Sequence, residues 1–259
     1  MLRPGIRIRA CRGRCIDAAM SEAATTVDIG LQTLPPLGGF ARFSTVDYPG
    51  HLCAVIYTQG CPCRCRYCHN PHLQQGRGHS GISWPTIMAW LATRAGLLDA
   101  VAFCGGEPTA HKSLRAALQQ VRDSGFGTAL HTSGIYPHNF SQMLPYIDWV
   151  GFDIKAPPAR YAAVTGVPGS GVRVQDSVEW LLSGHVAYEI RTTVHPAILD
   201  TADLIAIARW LKLLGISRWV LQSFNPAGCV NADLVTSYAP IDHELFDELR
   251  GYVPDISVR

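Results

Sequence analysis

Short apolar runs recur along the chain and alternate with segments of helical periodicity. The runs are rich in Val, Ile, Phe and Ala, which is typical of strands that are buried on both faces. A further extended segment, residues 40–50, ends in the turn Pro49-Gly50. We predict six strands, at residues 53–59, 100–104, 128–132, 149–155, 188–194 and 219–224.

Helices are predicted between the strands. The evidence is the helical spacing of apolar residues and the capping residues at either end of each segment. The clearest example places Leu204, Ala208 and Leu211 in line and stops at Gly215. Another opens with Ser83 as its N-cap and Pro85 inside its first turn. The predicted helices begin near residue 83 and cover residues 112–124, 174–182 and 202–214.

Alternating strands and helices predict an α/β fold built from parallel, right-handed βα units. The most economical arrangement is an incomplete (β/α)6 TIM-like barrel that is open on one side, and a doubly wound open sheet is the alternative. In a barrel of this kind, functional side chains gather at the carboxyl ends of the strands.

The composition of the chain constrains its domain organisation and the kinds of partner that it can bind. The 259 residues are 47% hydrophobic, which suits one large domain, and we assign residues 38–259 to it. Residues 1–37 begin Arg-rich and lack periodicity, so we expect a disordered or extended N-terminal arm. A transit peptide, or a true start at Met20, is the alternative for this arm. A net charge of +2 and the lack of a long apolar run predict neither a nucleic-acid nor a membrane partner.

Four of the nine cysteines crowd into residues 61–68, and Cys61, Cys65 and Cys68 have the spacing C-x3-C-x2-C. Soft thiolates select zinc or iron–sulfur clusters, and clustered cysteines are typical of metal binding in a reducing cytoplasm. A cubane cluster normally takes four cysteines, so three would leave one iron open to a small molecule. A zinc knuckle completed by Cys63 or His69 is the alternative.

A Gly105-Gly106-Glu107 turn follows the second predicted strand. Two glycines allow close approach to the backbone, and the carboxylate can accept hydrogen bonds from an ammonium group. Polar residues also end the other strands, which predicts one ligand-binding mouth. They are Gln59, His131, Ser133, Asp153, Lys155, Arg191, Thr193, Gln222 and Asn225.

The three-cysteine loop and the Gly-Gly-Glu turn resemble the two signature elements of the radical S-adenosylmethionine (SAM) superfamily. Within it, the chain resembles anaerobic ribonucleoside-triphosphate reductase activating proteins and is close to pyruvate formate-lyase activating enzymes. The resemblance runs over residues 39–226. The segments that carry it are residues 45–50, 58–61, 67–71, 105–109, 153–157 and 191–194.

The resemblance implies an enzyme that reductively cleaves SAM and takes a hydrogen atom from a glycine of a partner glycyl-radical enzyme. It implies one [4Fe–4S] cluster held by Cys61, Cys65 and Cys68. It further implies a one-electron donor such as flavodoxin or ferredoxin, and the clustered cysteines predict a cytoplasmic location. The residues implied in SAM binding are Gly105, Gly106, Glu107, Ser133, Asp153, Lys155 and Arg191.

Two positions depart from the pattern of these activating enzymes. His131 stands where Asp is usual, and Asn225 stands before Pro226 where a basic residue is commoner. After Cys68 only Cys104 and Cys229 remain, which are too few for a second cubane. The alternatives in function are a radical SAM enzyme that acts on a small molecule, as 7-carboxy-7-deazaguanine synthase does, and a zinc-binding interaction module.

Overall fold

The computed structural model describes residues 34–76, 81–237 and 242–259. The expectation for the N-terminal arm therefore falls outside the described residues, apart from its last few positions. The described residues form eight strands in a single sheet. These are β1 Leu37–Ser44, β2 Cys53–Thr58, β3 Ala100–Gly105, β4 Gly127–Thr132, β5 Trp149–Asp153, β6 Ala187–Val194, β7 Arg218–Ser223 and β8 Asp255–Val258.

The strands lie in the sheet in the same order as in the chain, and the two edge strands, β1 and β8, do not pair. Strand β1 runs antiparallel to β2, and every later neighbouring pair is parallel. A doubly wound sheet would reverse its strand order partway. The sheet is therefore an incomplete TIM-like barrel, as predicted, and not the doubly wound alternative.

The six predicted strands correspond to β2–β7. Strand β8 was missed because its sequence, Asp-Ile-Ser-Val, offers no apolar run. The extended segment predicted at residues 40–50 is strand only to Ser44, and the strand starts earlier, at Leu37. The main-chain carbonyl of Pro36 accepts a hydrogen bond from the Gln59 N–H at 2.8 Å, so the chain is already ordered before β1 begins.

The four predicted helices are present, and the residues that flank them explain where they start. The Ser83 hydroxyl accepts a hydrogen bond from the Thr86 N–H, and Asp200 and Asp203 form a reciprocal capping box. The helices not predicted are short. The α-helices of the described residues, predicted and not, are α1 Trp84–Ala92, α2 Leu114–Asp123, α3 Pro137–Met143, α4 Tyr161–Thr165, α5 Ser170–Ser183, α6 Thr201–Leu213, α7 Ala232–Thr236 and α8 His243–Arg250.

Two apolar clusters lie on opposite faces of the sheet. The larger one joins the outer strand faces to the helices. The smaller one contains no helix residue and is built from small side chains, such as Ala100, Ala102 and Ala129, together with Trp149. It fills the interior of the barrel below the carboxyl ends of the strands, which leaves that end free for polar groups. No helix within the described ranges is long and apolar enough to cross a membrane.

Candidate active site

A cavity of about 630 Å³ opens at the carboxyl ends of the strands. All ten predicted site residues line it, although their individual roles remain predictions. Sequence reasoning missed Asp47, Tyr67 and Arg259, which line it too. The predicted residues come from the loop after β2 and from β3–β6: Cys61, Cys65, Cys68, Gly105, Gly106, Glu107, Ser133, Asp153, Lys155 and Arg191.

The cysteine loop is closed at its base by main-chain hydrogen bonds. The N–H groups of Gly60 and Cys61 donate to the carbonyls of Leu73 at 2.8 Å and Gln74 at 3.2 Å. The Gln59 amide bridges two more carbonyls of the returning segment, those of His72 and Gln75. Gln59, the polar residue predicted at the end of strand β2, therefore binds the returning segment and fixes the base of the cysteine loop.

The thiols of the loop differ in their tendency to ionise. A hydrogen bond from Cys63 is the main effect that lowers the pKa of Cys65 to about 7, and the positive charge of Lys155 acts in the same direction. The same partner lowers the pKa of Cys61, whereas its contacts with the two neighbouring sulfurs raise the pKa of Cys63 itself. Burial raises the pKa of Cys68. The electrostatics thus favour thiolates at Cys61 and Cys65 and a neutral thiol at Cys63.

The chemistry of these donors fits an iron–sulfur cluster. Three thiols at the predicted spacing share one cavity wall, and two of them are biased toward the thiolate that binds metal. Across the described ranges, no group of three or more His, Cys, Asp and Glu side chains is placed to hold a single metal ion. Cys61, Cys65 and Cys68 are the residues that would hold the cluster.

The Gly-Gly-Glu turn packs directly on the cysteine loop, and this packing accounts for both glycines. Gly105 has φ +110°, and a Cβ there would lie 2.6 Å from the Thr58 nitrogen. A Cβ on Gly106 would lie 2.2 Å from the Gly60 carbonyl oxygen. That carbonyl also accepts the Glu107 N–H at 2.9 Å. The turn and the cysteine loop are therefore held together as one unit.

Glu107 is 2% exposed, and its carboxylate accepts five hydrogen bonds from its own chain. Its Oε1 accepts from the hydroxyls of Thr109 and Thr132, each at 2.6 Å, and from the Thr109 N–H at 3.1 Å. Its Oε2 accepts from the Ser133 N–H at 2.9 Å and hydroxyl at 2.6 Å. Glu107 thus joins the ends of β3 and β4, and its contact with a ligand ammonium remains a prediction.

A chain of charged groups crosses the opposite wall of the cavity. Arg191 lies 2.9 Å from Asp153, and Lys155 lies 4.0 Å from the same carboxylate. Arg191 also donates to His131 Nδ1 at 2.9 Å, and His131 Nε2 donates to the main-chain carbonyl of Asp47 at 2.6 Å. His131, the first departure from the family pattern, therefore links Arg191 to the loop after β1.

Burial and neighbouring charges fix the protonation of this wall. Burial, and then the Arg191 charge, lowers the pKa of His131 to about 4, which leaves the imidazole neutral. Burial is the largest single effect on Asp153 and opposes its ionisation, but the charges of Arg191 and Lys155 outweigh it and lower the pKa of that carboxyl. For Lys155, burial is likewise outweighed, by Tyr67, Asp153 and Cys65, so its pKa is raised.

Comparison with known proteins identifies the family. The model of the radical SAM superfamily matches residues 55–212. A Methanocaldococcus jannaschii protein, named as a glycyl-radical enzyme activating enzyme, is 26% identical over 86% of this chain and 95% of its own length. The pyruvate formate-lyase-activating enzyme of Clostridium pasteurianum is 29% identical over 62% of this chain and 68% of its own.

A solved structure shows the same fold. Streptococcus suis SuiB, crystallised with S-adenosylmethionine, superposes with a TM-score of 0.56 at 14% identity over 79% of this chain. The present chain spans about half of that protein, 49% of its length. The family match extends over more than half of the chain and contains the cysteine loop, the Gly-Gly-Glu turn and Arg191. The chain therefore belongs to the radical SAM superfamily.

Proposed function

We propose that this protein is a glycyl-radical activating enzyme, and that its partner is an anaerobic ribonucleoside-triphosphate reductase. The observation that carries the proposal is the similarity to the M. jannaschii protein, which runs through 86% of this chain and 95% of that relative. The choice of the reductase rests on the sequence segments that resemble its activating proteins, such as residues 45–50 and 67–71.

The cofactors of the superfamily are a [4Fe–4S] cluster and SAM. When bound and reduced, they supply a 5′-deoxyadenosyl radical that can remove a hydrogen atom from glycine. Cys61, Cys65 and Cys68 would hold the cluster, and the neighbouring Cys63 lowers the pKa of two of these thiols, Cys61 and Cys65. The neutral thiol of Cys63 is itself a donor and not a ligand in this assignment.

The protein binds and orients SAM with groups on both walls of the cavity. The Gly105–Glu107 turn faces the methionyl ammonium, and the Arg191 guanidinium is the partner for the methionyl carboxylate. Asp153 holds Arg191 at 2.9 Å and Lys155 at 4.0 Å, which keeps both cations turned to the cavity. Since these groups are already fixed by the protein, little reorganisation is needed when the ligand binds.

The test is direct detection of the product radical. Reconstituted enzyme, SAM, a reductant and an anaerobic ribonucleotide reductase are mixed without oxygen, and electron paramagnetic resonance is recorded. We expect a glycyl-radical doublet that disappears when the reductase glycine is changed to alanine. If SAM is cleaved and the radical forms on pyruvate formate-lyase but not on this reductase, the activase function stands and the proposed partner is wrong. Cleavage with no radical on either protein would contradict the proposed function and favour a small-molecule substrate.

A further inference from the structure

The side chain of Arg191 reaches across a neighbouring strand of the barrel. Arg191 belongs to β6, and its guanidinium lies over Gly151 of β5, where a Cβ would lie 2.7 Å from the Arg191 Cζ. The register of the sheet places His131 of β4 beside Gly151. Arg191 Nη2 meets His131 Nδ1 there, at 2.9 Å. Since neighbouring strands are about 4.8 Å apart, this contact between β6 and β4 depends on glycine at position 151.

The contact with Arg191 fixes the tautomer of His131. A guanidinium can only donate hydrogen bonds, so Nδ1 of His131 is the acceptor. In a neutral imidazole the proton then lies on Nε2, which donates to the main-chain carbonyl of Asp47 at 2.6 Å. Burial and the Arg191 charge oppose a second proton, because they lower the pKa of His131. His131 is therefore an uncharged acceptor whose orientation is set by the loop after β1.

Arg191 keeps one terminal nitrogen for a ligand. Its Nε donates to Asp153 Oδ1 at 3.0 Å, and its Nη2 contacts both Asp153 and His131, each at 2.9 Å. Within the ranges that the structure describes, Arg191 Nη1 has no hydrogen-bond partner. The residue is 6% exposed and lines the cavity. Because the protein holds the other two nitrogens, Nη1 is the donor left for a carboxylate.

His131 also leaves this wall with an excess of positive charge. Asp153, Lys155 and Arg191 carry one negative and two positive charges, and the Asp153 carboxylate lies within 4.0 Å of both cations. The Asp47 carboxylate is on the other edge of the imidazole, 3.9 Å from Nε2. An acid at position 131 would neutralise the excess and compete for the guanidinium. A neutral imidazole holds Arg191 and leaves its charge to a ligand.

We propose that His131 is a positioning residue that holds Arg191 for the carboxylate of SAM. The inference rests on the proposed function, which assigns Arg191 to the methionyl carboxylate, and not on the identity of the glycyl-radical partner. Asp153 fixes the guanidinium at β5, and His131 fixes it at β4, so little rotamer freedom remains to be lost when the ligand binds. The affinity of the site for a carboxylate therefore depends on a hydrogen-bond acceptor at position 131.

The test measures the affinity of reconstituted, unreduced enzyme for SAM and for decarboxylated SAM by equilibrium dialysis. Decarboxylated SAM keeps the sulfonium and the ammonium and lacks only the group assigned to Arg191. His131→Leu removes the acceptor, and His131→Asn is the matched variant, because its amide oxygen can replace Nδ1. Arg191→Met and the double variant H131L/R191M complete a double-mutant cycle. Iron content and melting temperature are recorded for every variant, and His131→Ala replaces His131→Leu if the latter does not fold.

We expect His131→Leu to weaken SAM binding about tenfold, since a charge-assisted hydrogen bond that orients Arg191 is lost. Its affinity for decarboxylated SAM should stay within about twofold of wild type. His131→Asn should recover most of the lost SAM affinity. In the Arg191→Met background, loss of His131 should have no further effect, because the group that His131 positions is already absent.

Unchanged SAM affinity in His131→Leu would overturn the proposal. An equal loss for both ligands would also overturn it, as would a full loss in the Arg191→Met background, because His131 would then support the cavity in general and not Arg191. The glycyl-radical enzyme is absent from this assay, so these outcomes leave the proposed activase function untouched. Wild-type enzyme that binds no SAM would contradict the proposed function and this inference together.

Discussion

The carboxylate of Glu107 accepts two hydrogen bonds from one residue, Ser133: Oε2 receives its main-chain N–H at 2.9 Å and its hydroxyl at 2.6 Å. Glu107 ends the turn after β3, and Ser133 follows β4. The pair thus joins the turn that packs on the cysteine loop to the next loop of the cavity wall.

Replacing Glu107 by Ala should weaken SAM binding about 10- to 100-fold, because charge-assisted hydrogen bonds worth about 1.5–3 kcal/mol are lost. Iron content should be retained. Equilibrium dialysis of SAM on reconstituted enzyme measures the effect. Thr109→Val is the matched control, since it removes one hydroxyl donor to Glu107, keeps the carboxylate and changes no residue assigned to SAM binding. Unchanged SAM affinity in Glu107→Ala would exclude this residue from the site, and loss of iron would show that the turn mainly supports the cluster loop.

Replacing Cys63 by Ala should leave the iron content near that of wild type, because Cys63 falls outside the C-x3-C-x2-C spacing and its contacts with the neighbouring sulfurs raise its pKa, which keeps the thiol neutral. Alanine at Cys61, Cys65 or Cys68 should abolish the broad visible absorbance and most of the iron. Iron analysis and absorbance after anaerobic reconstitution test this. Our ligand assignment is wrong if the Cys63 variant alone loses the cluster.

A truncated protein that begins at Gln32 should fold and cleave SAM as the full chain does. One that begins at Gly38 should be less stable, since it lacks the Pro36 carbonyl that binds the Gln59 N–H and the packing of Leu34 and Leu37 on the core. The loss of one hydrogen bond and two partly buried leucines corresponds to about 5–10 °C in melting temperature. Equal melting temperatures for the two truncated proteins would argue against this contribution.

The fold could be predicted from local patterns, whereas much of the site could not. Strands β2–β7 are runs of buried apolar residues, and their alternation with helices fixes the direction of winding. The role of Gly105 and Gly106 required the structure, since their neighbours, Thr58 and Gly60, lie on the previous strand and loop. Arg259 gave no signal, because only the pairing of β8 with β7 brings it to the cavity and to Glu189.

Stability should fall as the pH drops from 7 to 5, and His131 should account for part of this fall. Its pKa is about 4 in the folded state against 6.5 for a free side chain. Between these values the unfolded state binds more protons, so stability is full above pH 6.5 and declines as the pH falls toward 4. The contribution at pH 5 is on the order of 1–2 kcal/mol.

Urea unfolding of wild type and His131→Gln at pH 7 and pH 5 measures this contribution. His69 and His111, whose pKa values burial also lowers, are present in both proteins and cancel in the comparison. The variant should lose less stability between the two pH values than wild type does. An identical pH dependence in the two proteins would mean that His131 is protonated without cost and that its link to Arg191 is weak.

We expect the cysteine loop and the Gly-Gly-Glu turn to form a site for reductive cleavage of SAM. The direct measurement is the quantity of 5′-deoxyadenosine and methionine formed from SAM by anaerobically reconstituted enzyme with dithionite. We predict equimolar amounts of the two products from wild type and from Cys63→Ala, and neither product from Cys65→Ala. Wild-type enzyme that carries its full iron complement and binds SAM, yet forms no 5′-deoxyadenosine, would contradict the account.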